Sequence, residues 1–367
     1  MGRRIWYIVS SLEVGGPHPL IELANGMAER GFEVTVWSLL DEMALAPEFD
    51  DAVTVRTVGA TSKVEIWKLG SFLRTARAQR PDIVHSYFFF DNMVARLLKL
   101  VVPETTVVCG VMSVRRGQAR HRRMLEDALL DVPDYYVSNS KAGGEFIAER
   151  GVSEDRIEVV YNGRSAEEYG GPADSAYLYA DLDLPESAFL VGIVSRLVET
   201  KGIDDLLAAL ARLRADGRDV HAVIVGDGPE WDSLEATAAE LDLSEHVTFT
   251  GMRTDVPAIL DILDAFVFPS YQEGMPGAVI EAMLAGLPIV STPVDGCAEL
   301  LTDGETGVFV PVGDPDAIVS AVGRLIDEPE YAAELGDAAR AEARESFSTQ
   351  QRLESFESFY ERIVDDG

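Results

Sequence analysis

The chain has 367 residues, more than one hydrophobic core ordinarily organises, so two domains are expected. Hydrophobic residues make up 47% and charged residues 26%, the mix of a globular protein rather than a disordered or fibrous one. The net charge of −32, from 63 acidic and 31 basic residues, argues against a nucleic-acid partner, because such a surface repels polyanions.

The chain opens with Gly2-Arg3-Arg4 and the apolar stretch Ile5–Val9, which imitates a signal peptide. The stretch is too short for one and Glu13 follows soon after, so a first β-strand over Ile5–Ser10 is expected instead. Pro17–Arg30 reads as a helix with Leu20, Leu23, Ala24 and Met27 on one side and Gly31 as its stop. Further strands are expected at Glu33–Ser38, Ile83–His85, Thr106–Cys109, Asp134–Val137 and Ile157–Val160. The rhythm breaks around Gly170-Gly171-Pro172. Residues 166–186 are therefore expected to connect a first domain, 1–165, to a second, 187–346.

The second series begins with a strand at Phe189–Ser195 and an amphipathic helix over Ile203–Arg214. Strands follow at His221–Val225, Val247–Thr250, Ala265–Phe268, Pro288–Ser291 and Gly307–Val310. Helices are expected over Glu230–Leu241, Gly277–Leu284, Pro315–Ile326 and Tyr331–Phe347. The tail, 348–367, reads as a helix with Leu353, Phe356, Phe359 and Tyr360 on one face, which must pack on something. Strand–helix alternation of this kind predicts an α/β fold with parallel sheets.

No apolar run reaches the roughly 18–20 residues of a membrane-spanning helix. The two cysteines, Cys109 and Cys297, lie outside any metal-ligand spacing, and reduced, buried thiols in a cytoplasmic protein are expected. Only five basic residues are lysine. The acidic surplus suits a salt-rich, halophilic cytoplasm, where screening shortens charge repulsion to about 3 Å at 1 M.

Against this anionic background, cations at a strand's carboxyl edge stand out. Arg196 and Lys201 follow directly on the strand that ends at Ser195. Charge-assisted bonds from such groups to phosphate are about twice as strong as neutral ones. Downstream, Tyr271-Gln272-Glu273-Gly274-Met275-Pro276-Gly277 leads from a strand into a helix. Pro276 suits a first helical turn, and the free N–H groups there attract phosphate. Gly15-Gly16-Pro17 occupies the matching place in the first half. No complete dinucleotide fingerprint or P-loop occurs, which argues against nicotinamide or ATP chemistry.

Taken in order, these segments resemble the retaining glycosyltransferase family 4, the glycosyl transferase group 1 pattern. The resemblance is carried by Gly15-Gly16, Ile83-Val84-His85, Ser138-Asn139-Ser140, Tyr161-Asn162-Gly163, Arg196 with Lys201, and Val225-Gly226-Asp227-Gly228-Pro229. It continues through Phe249-Thr250-Gly251, Pro269-Ser270, Glu273-x7-Glu281, Ala285-Gly286-Leu287-Pro288 and Gly304-Glu305-Thr306-Gly307. The resemblance implies a GT-B architecture, two Rossmann-like domains whose parallel sheets face an interdomain cleft, with the C-terminal helix returning to the first domain. It implies a nucleotide-sugar donor, UDP- or GDP-linked, with no further cofactor and no metal. Arg196 and Lys201 would stabilise the leaving diphosphate, and Glu273 would hold donor sugar hydroxyls. Glu281 would accept from the ribose, while Met275, Pro276 and Gly277 would meet the phosphates and sugar. Gly15 and Gly16 would admit the diphosphate, and Met252 and Arg253 would border the nucleobase.

Two departures bear on the acceptor side. Relatives often carry a histidine after the strand matching Thr106–Cys109; here the segment continues Val111-Met112-Ser113-Val114-Arg115-Arg116. Asn162-Gly163 is followed by Arg164 and Ser165 rather than by an apolar residue and an aspartate. Arg115 and Arg116 open a basic cluster with Arg120, His121, Arg122 and Arg123. The cluster reads either as a site for an anionic glycan or lipid-linked acceptor, or for the inner membrane face, or as an exposed helix offsetting Glu126 and Asp127. His85, at a strand end, is an acceptor-side candidate. A sugar-nucleotide 2-epimerase and a non-catalytic sugar-nucleotide binder are the competing functions.

Overall fold

A computed structural model describes residues 3–13, 18–62, 65–112, 120–171 and 174–365. The chain divides into two compact units, Met1–Asn162 with Thr349–Gly367, and Gly163–Ser348.

The first unit holds seven strands among the described residues: β1 (Arg4–Val9), β2 (Glu33–Leu40), β3 (Thr54–Ala60), β4 (Ile83–Ser86), β5 (Thr106–Val111), β6 (Tyr135–Ser138) and β7 (Ile157–Val159). They form one parallel sheet in the order β3-β2-β1-β4-β5-β6-β7. β1 pairs with β2 on one side and β4 on the other, so the winding reverses there. In open sheets of this kind ligands bind outside the carboxyl ends of the strands at such a reversal. Strands buried on both faces need continuous apolar runs, and β1 supplies one, with Ile5 through Val9 all buried.

The helix Thr349–Asp365 belongs to this unit. Its Leu353, Phe356, Phe359, Tyr360 and Ile363 enter one core cluster with Ile5, Tyr7, Leu20, Met27 and Val34. A Cβ on Gly26 would strike the Leu353 side chain, so helix His18–Glu29 gives up a side chain where the tail helix crosses it. Arg30 pairs with Glu357 at 3.1 Å, and Arg352 donates to the Pro19 carbonyl at 2.7 Å.

The second unit has six strands among the described residues: β8 (Phe189–Val194), β9 (Val220–Val225), β10 (Val247–Gly251), β11 (Ala265–Phe268), β12 (Ile289–Ser291) and β13 (Val308–Phe309). Their order, β10-β9-β8-β11-β12-β13, repeats the reversal at its own first strand, between β8 and β11.

Three features differ from expectation. β3 forms where no strand was expected; it is an edge strand, half-exposed, with Arg56 laid over the Trp37 ring. The aromatic run after β4 starts a helix, Phe89–Val101, with Asp91 accepting from the Phe88 backbone N–H. The segment 166–186, expected to be a connection, belongs to the second unit. Its helix Ala166–Gly170 is capped by Ser165, Leu178 is fully buried, and Ser175 donates to Asp261 at 2.6 Å.

Candidate donor-nucleotide site

The site assembles at the reversal of the second sheet, where the segments leaving β8 and β11 lie side by side. The β8 segment turns at Ser195 and Arg196, closes a short 3-10 turn at Glu199–Lys201, and enters helix Ile203–Ala215 through Gly202. Gly202 sits at φ +64, where a Cβ would drive into the Pro269 carbonyl. Gly226, at φ +132, packs its backbone directly on the Ser195 carbonyl, and Gly228 packs on that of Leu197. Ser195 and Leu197 donate in turn to the carbonyls of Val225 and Asp227, both at 3.0 Å. The Gly226-Asp227-Gly228 turn thus fixes the height of the Arg196 loop.

Arg196 is exposed, and among the described residues no carboxylate or carbonyl engages its guanidinium. Lys201 is different. Its Nζ lies 2.5 Å from Glu273 Oε1 and 5.2 Å from the centre of the Phe268 ring. Glu273 also accepts from Ser270 Oγ at 2.6 Å, and Ser270 Oγ lies 2.9 Å from the Thr200 carbonyl. The two segments are therefore stitched together through a mostly buried Lys–Glu pair. Cys297 lies nearby, and burial pushes its thiol up to about 12, which leaves it inert as a nucleophile.

Helix Gly277–Ala285 begins after Pro276 with no side-chain cap. Its first turn faces Arg164. The Arg164 Nε lies 2.7 Å from Glu281 Oε1, and Nη1 donates to the Gly163 carbonyl at 3.1 Å. A Cβ on Gly277 would collide with the same guanidinium. Arg164 is held in place by its own backbone, whose N–H donates to the Phe347 carbonyl at 3.0 Å.

Residues 178–342 match the family described as glycosyl transferases group 1, and residues 19–168 match glycosyltransferase family 4. The chain belongs to glycosyltransferase family 4. This family 4 chain is 28% identical over 387 aligned residues to a D-inositol 3-phosphate glycosyltransferase from Salinispora tropica, covering 94% of this chain and 80% of that one. It is 31% identical over 186 residues to a 2-deoxystreptamine glucosyltransferase from Streptomyces kanamyceticus, where the match spans about half of each chain, 50% and 48%. In fold it is similar to Anabaena HepE in complex with UDP and glucose, with a TM-score of 0.84, 21% identity, and coverage of 98% and 100%. Two parallel-sheet, Rossmann-like units with GT-B neighbours are the fold class expected of the family.

The residues singled out in the family 4 chain fall into four groups. Arg196, Lys201, Glu273, Met275, Pro276, Gly277 and Glu281 lie on the two segments at the sheet reversal or on the helix that follows. Lys201 and Glu281 each have a partner of opposite charge, Glu273 and Arg164. Met252 is 82% exposed just beyond β10, whereas Arg253 is committed to Asp255 at 2.6 Å and Asp181 at 3.1 Å. Gly15, Gly16, Arg115 and Arg116 lie outside the described residues. Arg164 had no role assigned to it; the departure from the family pattern after Gly163 was its one signal.

His85 is a correction. It is fully buried, its Nδ1 lies 2.6 Å from the Tyr360 hydroxyl, and its ring stacks on Tyr87 at 4.6 Å. It packs the tail helix and meets no open surface. Burial, aided by the Arg352 charge, depresses its pKa to about 3. The consequence for stability has a definite sign. Between about 6.5, the unfolded value, and 3, the unfolded state binds a proton that the folded state refuses. Stability is then complete above 6.5 and falls with pH by up to about 1.4 kcal/mol per unit. Urea unfolding of the parent and of His85→Phe from pH 7 to 4 measures this; identical slopes would show that the ring does not titrate in that window.

Proposed function

We propose that the chain is a retaining glycosyltransferase that moves a sugar from a UDP- or GDP-linked donor to a glycan, lipid-linked or small-molecule acceptor, without a metal ion. The observation that carries the reading is the unengaged Arg196 guanidinium, set at the sheet reversal beside the Lys201–Glu273 pair.

When the anomeric C–O bond breaks, positive charge develops on the sugar and negative charge on the departing diphosphate. A fixed cation aimed at the diphosphate stabilises that state more than the ground state. Arg196 supplies such a cation. Lys201, held by Glu273, contributes a dipole whose positive end swings to phosphate while the carboxylate takes sugar hydroxyls. The uncapped start of helix Gly277–Ala285 adds N–H donors to the same charge. With these groups carrying the charge, no metal is needed. Glu281 retains a carboxylate oriented by Arg164, and the ribose diol is the donor group whose hydrogen bonding suits it.

Melting curves with UDP-, GDP- and ADP-sugars test donor binding, because a ligand of the native state alone raises the melting temperature. A chelator is expected to leave turnover unchanged, and the product's anomeric signal in proton NMR is expected to match that of the donor. Isomerised free sugar nucleotide, with no transfer product on any acceptor, would replace this reading with the epimerase one.

A further inference from the structure

The first sheet has a reversal of its own, and a cavity of about 500 Å³ opens at the carboxyl ends of β1, β4 and β5. That volume is in the range of small-molecule sites. Phe88, Phe89, Tyr136 and Phe146 give it aromatic walls. Among the described residues, the charged groups in its lining are Arg96, Arg122, Arg150 and a single carboxylate, Glu126.

Arg96 is the unusual member. It sits in helix Phe89–Val101 and is only 4% exposed. One nitrogen, Nη2, donates to the Tyr136 hydroxyl at 3.2 Å, while Nε and Nη1 have no partner among the described residues. A buried cation with idle donors is costly, and proteins normally satisfy it. Arg156 shows the ordinary arrangement, with Nε donating to the Asp134 carbonyl at 3.0 Å. Arg150, on the cavity wall, shows another, with Nη2 2.6 Å from Asp127 and 3.4 Å from Glu126. Arg96 has neither, in a chain with 63 acidic residues available. Asn92, one turn away, is already used: it accepts from Ser86 at 2.7 Å and donates to the Gly110 carbonyl at 3.0 Å.

We propose that this cavity binds a small molecule carrying one carboxylate or phosphate group, with Arg96 gripping the anion and the aromatic walls taking the ring or sugar attached to it. A planar guanidinium with free N–H groups is the side chain best matched to either oxyanion. That the occupant is the acceptor rests on the transferase reading; the anion site stands on the cavity and Arg96 alone.

Phenyl phosphate and benzoate are suitable probes, titrated into the full chain by calorimetry without donor. The parent is expected to bind at least one of them, and the tighter one identifies the oxyanion. Arg96→Met, which keeps the length and loses the charge, is expected to weaken that binding at least about tenfold. Because it removes an unpaired buried charge, the same variant is expected to melt no lower than the parent. Should it fail to fold, Arg96→Lys keeps the charge and loses the fork, and a several-fold loss is expected. No binding to the parent, or equal binding to parent and variant, overturns the proposal. Probe binding at the Arg196 loop would be equal in both proteins and so counts against it. If probes bind as described while no nucleotide sugar does, the anion site survives and the transferase reading falls. If nucleotide sugars bind and the probes do not, the anion site falls and the transferase reading survives.

Discussion

Alanine in place of Arg196 is expected to lower kcat/KM for donor cleavage by about two to three orders of magnitude, the usual cost of removing one preorganised charge-stabilising group. The melting temperature is expected to stay within about a degree of the parent, because the guanidinium is exposed and unengaged. Lys201→Met should behave differently. The Lys201 and Glu273 side chains are only 18% and 10% exposed, and the substitution strands the carboxylate. A stability loss of roughly 3 kcal/mol should accompany the loss of activity. Steady-state donor hydrolysis and calorimetric melting of both variants separate the two effects. An Arg196→Ala protein that cleaves donor at the parental rate would remove Arg196 from the chemistry.

The second large effect concerns the tail. A chain ended at Ser348 is expected to lose the cooperative transition of the first unit and keep that of the second. Truncation strips Leu353, Phe356, Phe359, Tyr360 and Ile363 from a core that also holds Tyr7, Leu20 and Met27. A single buried Phe→Ala change costs about 3–5 kcal/mol, and a domain's whole stability is about 5–15 kcal/mol. Five such losses exceed what the unit has. Tyr360 also satisfies His85 Nδ1, so its removal leaves a buried imidazole with no partner at either nitrogen. Differential scanning calorimetry of the truncated chain would show one transition where the parent shows two. Two undiminished transitions would show that the helix is dispensable.

These residues also show how far the sequence can be read. β1, β8 and β11 are legible because strands buried on both faces must be unbroken apolar runs. β3 was not, because an edge strand with only one well-covered residue, Ala60, mixes arginine and threonine with valine. The Phe88–Phe90 run leads into helix Phe89–Val101 and lines the cavity of the first sheet; aromatic composition says little about period when the run is three residues long. His85 was misplaced for a related reason. All four residues of β4 are buried, so alternation gives no indication of which side a ring faces or whether water reaches it. The positions of Arg196, Lys201 and Glu273 at strand ends were readable locally. The Arg164–Glu281 pair was not, since it joins residues separated by 117 positions and depends on the path of the chain between them.

The glycines under the Arg196 loop change what that motif means. With the Ser195 and Leu197 carbonyls seated against Gly226 and Gly228, the turn and the Arg196 backbone move as one rigid part. A methyl group at either glycine would jack the cation upward by the thickness of an atom. In the proposed function the cation would then miss the diphosphate by a distance that reacting geometry tolerates poorly, about an ångström. Two residues with no side chain, in the turn after the next strand, therefore act as the shim that sets the cation's reach.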